Sequence, residues 1–471
     1  MIRRLLIVNR GEIALRIVRA ARELGVVSIV AHSEADADTL AVRQADEAVC
    51  IGPAQAAKSY LNIPAVLNAA RNCQADAVHP GYGFLSESAD FARAVQEAGL
   101  IFVGPDADII ARMGDKASAR QTAMAAGVPV VPGSPTAVES LDQAKTVAED
   151  VGYPLLIKAA AGGGGRGIRV AEDSGMLAQQ LPQAQAEAQA AFGDGRVYLE
   201  RFIAQARHIE VQVLGDGQRA VHFFERECSL QRRRQKIFEE APSPALDEPT
   251  RQRLCESAVA LAEHVGYRGA GTLEYLFDDQ TGEFFFIEMN TRIQVEHPVT
   301  EMVTGFDLVR AMIILAGGEP LSIAQKDITL RGWAVEMRIN AEDPDRNFFP
   351  SLGTVNGLTW PTGPGVRVDS GLYDGYKMPP FYDSLVAKLI VWDASREQAL
   401  VRAGRALDEF RLEGFTTTAS LHRRLIEDAN VKAGAFDTNF LERWLESSAS
   451  VADQHKATPH DATVKEAINE Q

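Results

Sequence analysis

The stretch Glu288-Met289-Asn290-Thr291-Arg292-Ile293-Gln294-Val295-Glu296-His297-Pro298 decides how this chain is organised. Its polar side chains fall on every second position from Glu288 to Glu296, so an extended backbone points them toward one side. Carboxylates and an amide suit a hard cation, an arginine suits an anion, and a further carboxylate can act as a base. The alternative is an edge strand with a solvated face. Because the hydrophobic run 283–287 leads directly into the stretch, we predict a polar floor attached to the core.

The strand before this stretch adds a further carboxylate. Residues 272–277 form a predicted strand and residues 278–282 a turn, so Glu274 is expected nearly opposite residues 286–288, on the same face as Glu288. Two carboxylates that lie so close repel each other unless a positive charge lies between them. Magnesium is the natural candidate, with phosphate and water oxygens completing its ligands.

A glycine run marks a second candidate site. The predicted strand 153–158 ends on Lys158, and Ala161-Gly162-Gly163-Gly164-Gly165-Arg166-Gly167 follows before a strand resumes at residue 168. A Walker loop would instead lead into a helix after Lys-Ser or Lys-Thr. Glycines leave backbone N–H groups uncovered, so the loop can fold over phosphates. The alternative is a flexible hairpin tip, and the adjacent lysine favours the phosphate interpretation.

The N-terminal residues predict a parallel sheet. Strand 5–8, helix 12–24 and strand 26–31 form a βαβ unit. A nicotinamide dehydrogenase interpretation rests on this unit and on Glu34, but only Gly11 of the Gly-x-Gly-x-x-Gly pattern is present. The loop 79–84 follows another strand at its carboxyl end, where open α/β sheets bind ligands. Tyr82 is therefore either the wall of a ligand site or a tyrosine packed over a glycine turn.

Two further segments carry charge. The run 231–236, Gln-Arg-Arg-Arg-Gln-Lys, is either an anion pocket or a surface patch neutralised by residues 239–240. The alternating strand 332–340 places Glu336, Arg338 and Asn340 on one face.

Composition bounds the class of protein. A chain of 471 residues should hold about three domains. Its net charge of −16 argues against a nucleic-acid partner and against an anionic membrane surface. The apolar run near the N-terminus breaks at residues 9–10, and no later run could span a bilayer. The four cysteines lack paired or metal-ligand spacing and indicate buried thiols in a reducing compartment. We therefore expect a cytoplasmic protein.

Taken together, these segments closely resemble the biotin carboxylase family of ATP-grasp enzymes. The resemblance covers about residues 1–445 in the family's order. It rests on Asn9-Arg10-Gly11-Glu12-Ile13-Ala14, residues 79–84, Met113-Gly114-Asp115-Lys116, the Lys158 glycine loop, the run 231–236, residues 288–298, residues 338–344 and residues 380–384.

The resemblance implies an α/β architecture with three domains. These are an N-terminal Rossmann-like parallel sheet (pre-ATP-grasp) over 1–114, an ATP-grasp domain over 115–330 with a mobile glycine-rich lid at about 132–203, and a C-terminal α+β biotin carboxylase domain over 331–446. Residues 447–471 are polar, lack apolar spacing and are predicted to form a disordered tail.

The implied activity is carboxylation of biotin by ATP and bicarbonate through carboxyphosphate. The residues that would hold ATP are Lys116, Lys158, Gly164, Gly165, Glu200, Ile203, His208, Gln231, Arg234 and Leu276. Those that would bind magnesium or manganese are Glu274, Glu288 and Asn290. Bicarbonate would be held by Lys236, Arg292, Gln294 and Val295, with Glu296 as the base. Tyr82 and Arg338 would face the biotin ring, with Arg338 stabilising its enolate. The residues expected to be catalytic are Lys236, Arg292, Glu296 and Arg338.

The resemblance also implies partners. The chain has no Met-Lys-Met tripeptide for biotin attachment, so the biotin is expected on a separate biotin carboxyl carrier protein, alongside carboxyltransferase subunits and in a homodimeric enzyme. Acetyl-CoA carboxylase, and hence fatty acid synthesis, is the expected context, with pyruvate or another acyl-CoA as the alternative acceptor. Many relatives have histidine where this chain has Arg234, which predicts altered nucleotide affinity.

Two other interpretations have distinct signatures. A non-enzymatic paralogue would be expected to lose some of the residues assigned above, yet all are present. A different ATP-grasp ligase would share the metal carboxylates but has no evident need for residues 292–296 together with Arg338.

Overall fold

The structure, a computed structural model, describes residues 2–159 and 168–447. The N-terminal part is a five-stranded sheet in the order β3-β2-β1-β4-β5 with every pair parallel, which confirms the prediction from the βαβ unit. Both faces of the sheet are covered, as parallel sheets require, so Leu5, Leu6 and Ile7 are all fully buried. Its elements are β1 (Arg4–Ile7), α1 (Gly11–Glu23), β2 (Val27–Ser33), α2 (Leu40–Gln44), β3 (Glu47–Gly52), α3 (Ile63–Asn72), β4 (Ala77–His79), α4 (Ala89–Glu97), β5 (Ile101–Phe102) and α5 (Ala107–Gly114).

The middle of the chain contributes two antiparallel units. A small three-stranded sheet in the order β7-β6-β8 has its own core with α7 and α8, and five longer strands belong to a larger sheet. The elements are α6 (Lys116–Ala125), α7 (Leu141–Val151), β6 (Leu155–Ala159), β7 (Ile168–Ala171), α8 (Ser174–Phe192), β8 (Val197–Arg201), β9 (Ala206–Asp216), β10 (Ala220–Arg232), β11 (Gln235–Ala241), α9 (Glu248–His264), β12 (Arg268–Asp278), β13 (Phe284–Asn290), α10 (His297–Thr304) and α11 (Leu308–Ala316).

The last part of the chain completes the larger sheet. Its elements are β14 (Trp333–Asn340), β15 (Glu342–Asp343), β16 (Phe349–Pro350), β17 (Asn356–Thr359), β18 (Val366–Ser370), β19 (Leu385–Asp393), α12 (Arg396–Glu409), β20 (Arg411–Glu413), α13 (Ala419–Leu425) and α14 (Ala429–Ala433). The sheet has eight strands in the order β13-β12-β9-β10-β11-β14-β19-β18. Because β11 pairs with β14, one sheet crosses the predicted boundary at residue 330. The domain limits themselves stay a prediction.

The central stretch is only partly a strand. The predicted hairpin is confirmed, and Glu274 lies directly opposite Glu288. The prediction of an extended backbone as far as Glu296 is wrong, because β13 ends at Asn290 and the following residues leave the sheet. Helix α10 begins at residue 297 with Pro298 in its first turn, where a fixed φ and a missing N–H favour a helix start over a strand.

Other sequence predictions have mixed outcomes. Cys228 and Cys255 are buried thiols as expected, but Cys50 is exposed and Cys73 is half-buried, so burial was predicted wrongly for two of the four. Within 2–159 and 168–447, no helix combines the length and apolarity needed to cross a bilayer. The candidate phosphate-binding residues Gly164 and Gly165 lie outside the described residues, and so does nearly all of the predicted tail.

Candidate functional site

The paired carboxylates of β12 and β13 begin the site. Glu274 and Glu288 are direct partners across the two strands, and Asn290 Nδ2 donates a hydrogen bond of 2.9 Å to Glu274 Oε1. Burial, followed by the charge of Glu274, raises the pKa of Glu288. Two carboxylates and an amide form a hard donor set that suits magnesium or manganese, and a cation there would relieve the repulsion that raises this pKa. The three residues therefore fit the metal that the sequence predicts.

Lys236 joins this pair to the rest of the site. Its Nζ contacts three carboxylates, Glu210 at 2.6 Å, Glu296 at 2.7 Å and Glu274 at 3.0 Å. Burial alone would lower the pKa of this ammonium, but the three carboxylates outweigh burial and raise the pKa well above its usual value. Lys236 is therefore a fixed positive charge at the centre of the site.

Glu296, the predicted base, is held between two cations. Its Oε1 accepts from Lys236 and its Oε2 accepts from Arg338 Nη2 at 3.0 Å, while only 1% of the residue is exposed. Burial alone would raise the pKa of this carboxyl, but Lys236, Arg338 and Arg226 outweigh it and hold the pKa well below its usual value. Glu296 is therefore ionised at neutral pH, as an acceptor of protons must be.

Arg226 was not predicted from the sequence, although it organises the cluster. It is fully buried and donates to Glu210 Oε1 at 2.5 Å and to Gln294 Oε1 at 2.9 Å, with further bonds to the side chains of Gln212, Thr272 and Thr300. Gln294 in turn donates to Glu274 Oε1 at 2.9 Å. For its partner Glu210, a signal was available, because polar residues alternate along 208–212 on β9 and place Glu210 on the face that carries His208. We call Glu210, Arg226, Lys236, Glu274, Glu296 and Arg338 the charged cluster.

The predicted nucleotide residues fall into two groups. Lys158 and Glu200 form an ion pair on the three-stranded sheet. Beside the eight-stranded sheet, Leu276 of β12 and Ile203 of the loop between β8 and β9 share an apolar cluster with Val131, Ala206 and Phe285, which offers a wall for a flat ring.

His208 on β9 is the cross-strand partner of Leu276 on β12 and has polar neighbours. Gln231 Nε2 contacts His208 Nδ1 at 3.1 Å, and His208 Nε2 lies 3.1 Å from Glu274 Oε2. Lys116 is exposed at the start of α6, and Arg234 is exposed in the turn between β10 and β11.

The remaining predicted residues link the charged cluster to the N-terminal sheet. Arg292 Nε donates to Glu87 at 3.0 Å and its Nη2 donates to Asn290 Oδ1 at 3.0 Å. The carbonyl of Val295 accepts from Lys388 Nζ at 2.9 Å.

Tyr82 reaches the same lysine through Glu12. Its hydroxyl donates to Glu12, and Glu12 Oε1 lies 3.0 Å from Lys388 Nζ. Tyr82 also lines a cavity of about 120 Å³ between the loop 79–84 and residues 383–385. A larger cavity of about 450 Å³, between α1, β18 and the connection from α10 to α11, is lined by none of the predicted site residues.

Family comparisons agree with this architecture. A family model for the biotin carboxylase N-terminal domain matches residues 1–110, and one for the ATP-binding domain of the carbamoyl-phosphate synthase L chain matches residues 115–324. A model for the biotin carboxylase C-terminal domain matches residues 336–443.

Curated relatives are similar over nearly the whole chain. Biotin carboxylase 1 of Bacillus subtilis is 51% identical over 445 residues, and biotin carboxylase of Pseudomonas aeruginosa is 52% identical over 447 residues; each alignment covers 94% of this chain and 99% of the relative. A pyruvate carboxylase subunit of Methanothermobacter thermautotrophicus is 45% identical, with coverage of 94% and 90%.

Solved structures share the fold. A biotin carboxylase domain of thermophilic 2-oxoglutarate carboxylase bound to bicarbonate has a TM-score of 0.89 and 43% identity, covering 94% of this chain and 98% of that one. The dimer of the corresponding domain from Hydrogenobacter thermophilus, in complex with MgADP and bicarbonate, has a TM-score of 0.84 and 44% identity with the same coverage.

Proposed function

This chain belongs to the biotin carboxylase family, and from that membership we propose that it carboxylates biotin with ATP and bicarbonate, the biotin being carried on a separate protein. It is an enzyme of the ligase class. The observation that carries the proposal is the position of Lys236, whose ammonium contacts both the predicted base Glu296 and the predicted metal ligand Glu274 within 3.0 Å. A bicarbonate at this lysine would therefore lie between a base and the end of the nucleotide that carries the terminal phosphate.

In the first proposed step, bicarbonate loses its proton and reacts with ATP. Glu296 removes the proton of bicarbonate, while Lys236 and Arg292 hold the resulting oxyanion in line with the terminal phosphate of ATP. This oxyanion attacks the terminal phosphorus of ATP as the bond from that phosphorus to the ADP oxygen breaks, so the products are carboxyphosphate and ADP. When bound, the divalent ion supplies positive charge to the phosphate oxygens, and Glu274, Glu288 and Asn290 would hold it.

The nucleotide is proposed to bridge the two antiparallel sheets. Its phosphates would lie between Lys158, the glycine loop and Lys116, and its base would pack against Ile203 and Leu276. Glu200, His208, Gln231 and Arg234 complete the proposed nucleotide site. Phosphoryl transfer needs positioning and neutralisation of spreading negative charge, and these lysines supply both.

The carboxyl acceptor is proposed to approach from the side of the N-terminal sheet. Tyr82 and Arg338 would face the ring of biotin, while Gln294 and the Val295 backbone border the bicarbonate. Because Arg338 Nη2 already contacts Glu296 at 3.0 Å, the base and the biotin-facing arginine lie on the same side of the cluster. Proton transfer and carboxyl transfer can therefore share one set of charges.

The test is bicarbonate-dependent release of ADP, measured with and without free biotin. We expect biotin to stimulate the wild-type enzyme and Glu296→Ala to abolish the stimulated rate. The matched control is Glu397→Ala, which removes an exposed carboxylate on α12. Biotin-independent turnover by the wild type, or full activity of Glu296→Ala, would overturn the proposal.

The wider context is also proposed. We place the chain in the cytoplasm, as the biotin carboxylase component of an acetyl-CoA carboxylase in fatty acid synthesis, together with a biotin carboxyl carrier protein and carboxyltransferase subunits. The alternative, a pyruvate or other acyl-CoA carboxylase, is supported by the pyruvate carboxylase relative from Methanothermobacter thermautotrophicus. Supplying biotinylated carriers of each type and comparing kcat/KM discriminates between the two.

A homodimer is the proposed assembly, supported by the dimeric Hydrogenobacter thermophilus domain. Sedimentation equilibrium tests it. A species of twice the 51.1 kDa chain mass is expected, and a monomer at every concentration would contradict it.

A further inference from the structure

Two buried carboxyl groups lie behind Arg338 and have no task in the mechanism above. Glu239 on β11 and Glu336 on β14 are direct partners across the two antiparallel strands, so their side chains share one face. Both residues are fully buried, with 0% exposure. Arg338 follows Glu336 by two positions on β14 and therefore lies on that same face.

The hydrogen bonds of this pair are incomplete. Glu239 Oε1 accepts from Arg338 Nε at 2.6 Å. Within the described part of the chain, Glu239 Oε2 and both carboxyl oxygens of Glu336 have no hydrogen-bond partner. A fully buried ionised carboxylate without a partner is costly. A single proton between the two carboxyls removes much of that cost, since one of them then donates an O–H to the other.

The surrounding cations are already engaged by other carboxylates. Lys388 on β19 contacts Glu12 of α1 at 3.0 Å and Asp369 of β18 at 3.8 Å, while Arg338 is shared with Glu296. The charged groups that act on the pair are Arg338, Glu296 before α10, Lys236 on β11 and Lys388 on β19. Helix α10, which packs against β14, also carries His297 and Glu301, and His422 on α13 contacts the Arg338 carbonyl at 2.8 Å. Within the described part of the chain, none of these cations donates a hydrogen bond to Glu336, so Lys388 can compensate its charge only from a distance.

The electrostatics point the same way. Burial raises the pKa of Glu239 to about 7, even though the charge of Arg338 offsets part of this effect. Burial also raises the pKa of Glu336 well above its usual value, because Lys388 offsets burial only in part and Glu239 adds a like charge. Two facing carboxyls in such surroundings cannot both ionise near neutral pH.

We propose that Glu239 and Glu336 share one proton and act as positioning residues, holding Arg338 between Glu239 and the base Glu296. This inference rests on the function proposed above, because it concerns the geometry of the biotin-facing arginine. With one proton shared, the pair carries a single negative charge, and Arg338 divides its N–H groups between two carboxylates. When the shared proton is lost at alkaline pH, a second negative charge draws Arg338 away from Glu296.

The kinetic test uses Glu336→Gln, whose amide is a permanent N–H donor to Glu239 and cannot ionise. At neutral pH we expect biotin-dependent kcat within about twofold of wild type, with the KM for ATP unchanged. The alkaline fall of kcat should move upward by about one pH unit, because the second charge can no longer form. An alkaline limb identical to that of wild type would overturn the proposal.

A second variant separates positioning from stability. Glu239→Gln removes the carboxylate that anchors Arg338, so kcat with biotin should fall by about tenfold or more while the KM for ATP stays unchanged. A purely structural role would instead lower the amount of active enzyme without changing its pH profile. Unaltered kcat in Glu239→Gln would contradict the positioning role.

A third measurement does not depend on activity. A carboxyl with a raised folded-state pKa is most favourable to folding at low pH, and this advantage is lost as pH rises through that pKa. The melting temperature of wild type should therefore fall relative to that of Glu336→Gln as pH rises from about 4.3, where a glutamate ionises in the unfolded chain, to above neutral pH. The control Glu397→Gln, the same change at an exposed site, should show no such divergence.

The outcomes separate the two proposals. A wild-type enzyme without biotin-dependent turnover would remove the proposed function, whereas a constant melting difference across this pH range would remove the shared proton. If Glu336→Gln does not fold, Glu239→Gln carries the same melting comparison, since it also leaves only one ionisable carboxyl in the pair.

Discussion

The eight-stranded sheet and the three-stranded sheet both carry charged residues of the proposed site, but they hold them differently. On the larger sheet, Arg226 is fully buried, and Lys236, with 12% of its side chain exposed, contacts three carboxylates. On the smaller sheet, Lys158 has 37% of its side chain exposed and forms one ion pair, with Glu200. The larger sheet therefore fixes its charges before any ligand arrives, while the smaller sheet can exchange its ion pair for a ligand at little cost.

This difference follows from how the strands pair. On the larger sheet β9 and β12 are paired continuously from Ala206 to Asp216, which stacks polar residues in register over a long distance. On the smaller sheet the described strands are only four or five residues long. A short sheet offers few neighbouring positions from which a second partner could reach each charge.

The comparison is tested most strongly by removing one fully buried and one half-buried arginine. Arg226→Met leaves Glu210 buried with only Lys236, so the free energy of unfolding should fall by about 3–5 kcal/mol. Arg201→Met on β8 removes ion pairs with Asp278 and Glu283 from a side chain that is 30% exposed, and should cost less than about 1 kcal/mol. Urea unfolding of both variants measures the two losses.

Equal losses would contradict the contrast between the sheets. A loss near zero for Arg226→Met would mean that the methionine repacks and that Glu210 is stabilised by Lys236 alone. The ammonium of Lys236 would then be the sole organiser of the cluster.

The next prediction compares the kinetic effects of removing one lysine from each sheet, Lys236 from the larger and Lys158 from the smaller. Lys236→Met leaves three carboxylates without their shared cation, so kcat should fall by about 10²–10³-fold. Lys158→Met removes a charge that binds ground-state phosphate, so the KM for ATP should rise by about tenfold with a smaller change in kcat. Steady-state kinetics with ATP and bicarbonate varied separately distinguish these outcomes. A kcat loss of the same size in both variants would indicate that the smaller sheet is as preorganised as the larger one.

Sequence reasoning was sufficient where the argument was local. The turn after β12 has a countable length, so the sequence predicted Glu274 near the 286–288 end of the partner strand. The exact pairing of Glu274 with Glu288 depends on a register shift next to Tyr275 that no local pattern indicated. The βαβ opening likewise predicted the parallel N-terminal sheet, because the connection is short and its handedness is fixed. Both predictions needed only a few neighbouring residues.

Sequence reasoning was insufficient where partners are distant. Arg226 meets Thr300, 74 residues later, and Arg338 meets Glu239, 99 residues earlier, and no periodicity indicates such a pairing. The same holds for the pairing of β11 with β14, which makes one sheet of two predicted parts. The alternation across 288–296 failed for another reason: polar residues also alternate in a loop whose side chains find buried partners, and Pro298 favoured a helix over a longer strand.

A smaller effect is expected on stability at low pH, where the buried carboxyl of Glu274 on the larger sheet becomes protonated. Burial alone would raise the pKa of Glu274, but Lys236 and His208 outweigh it and hold the pKa well below its usual value. A carboxyl with a lowered folded-state pKa contributes stability above its unfolded-state pKa and loses it as pH falls through the folded-state value. The difference in melting temperature between wild type and Glu274→Gln should therefore be largest near neutral pH and should shrink below about pH 4. A difference that grows on acidification would contradict this electrostatic account.

The smallest expected effect concerns an exposed residue next to the larger sheet and is measured as the KM for ATP. Arg234 lies in the turn that joins β10 and β11 of the larger sheet, where it is exposed and has a φ of 67°. Histidine tolerates this left-handed backbone better than most side chains, so Arg234→His should not disturb the turn. Since arginine keeps its positive charge at neutral pH whereas histidine is largely neutral, the KM for ATP should change by about two- to fivefold with kcat preserved. If the KM does not change, Arg234 does not contact the nucleotide. A large loss of kcat would instead mean that the exposed turn is as tightly coupled to the reaction as the buried charged cluster is.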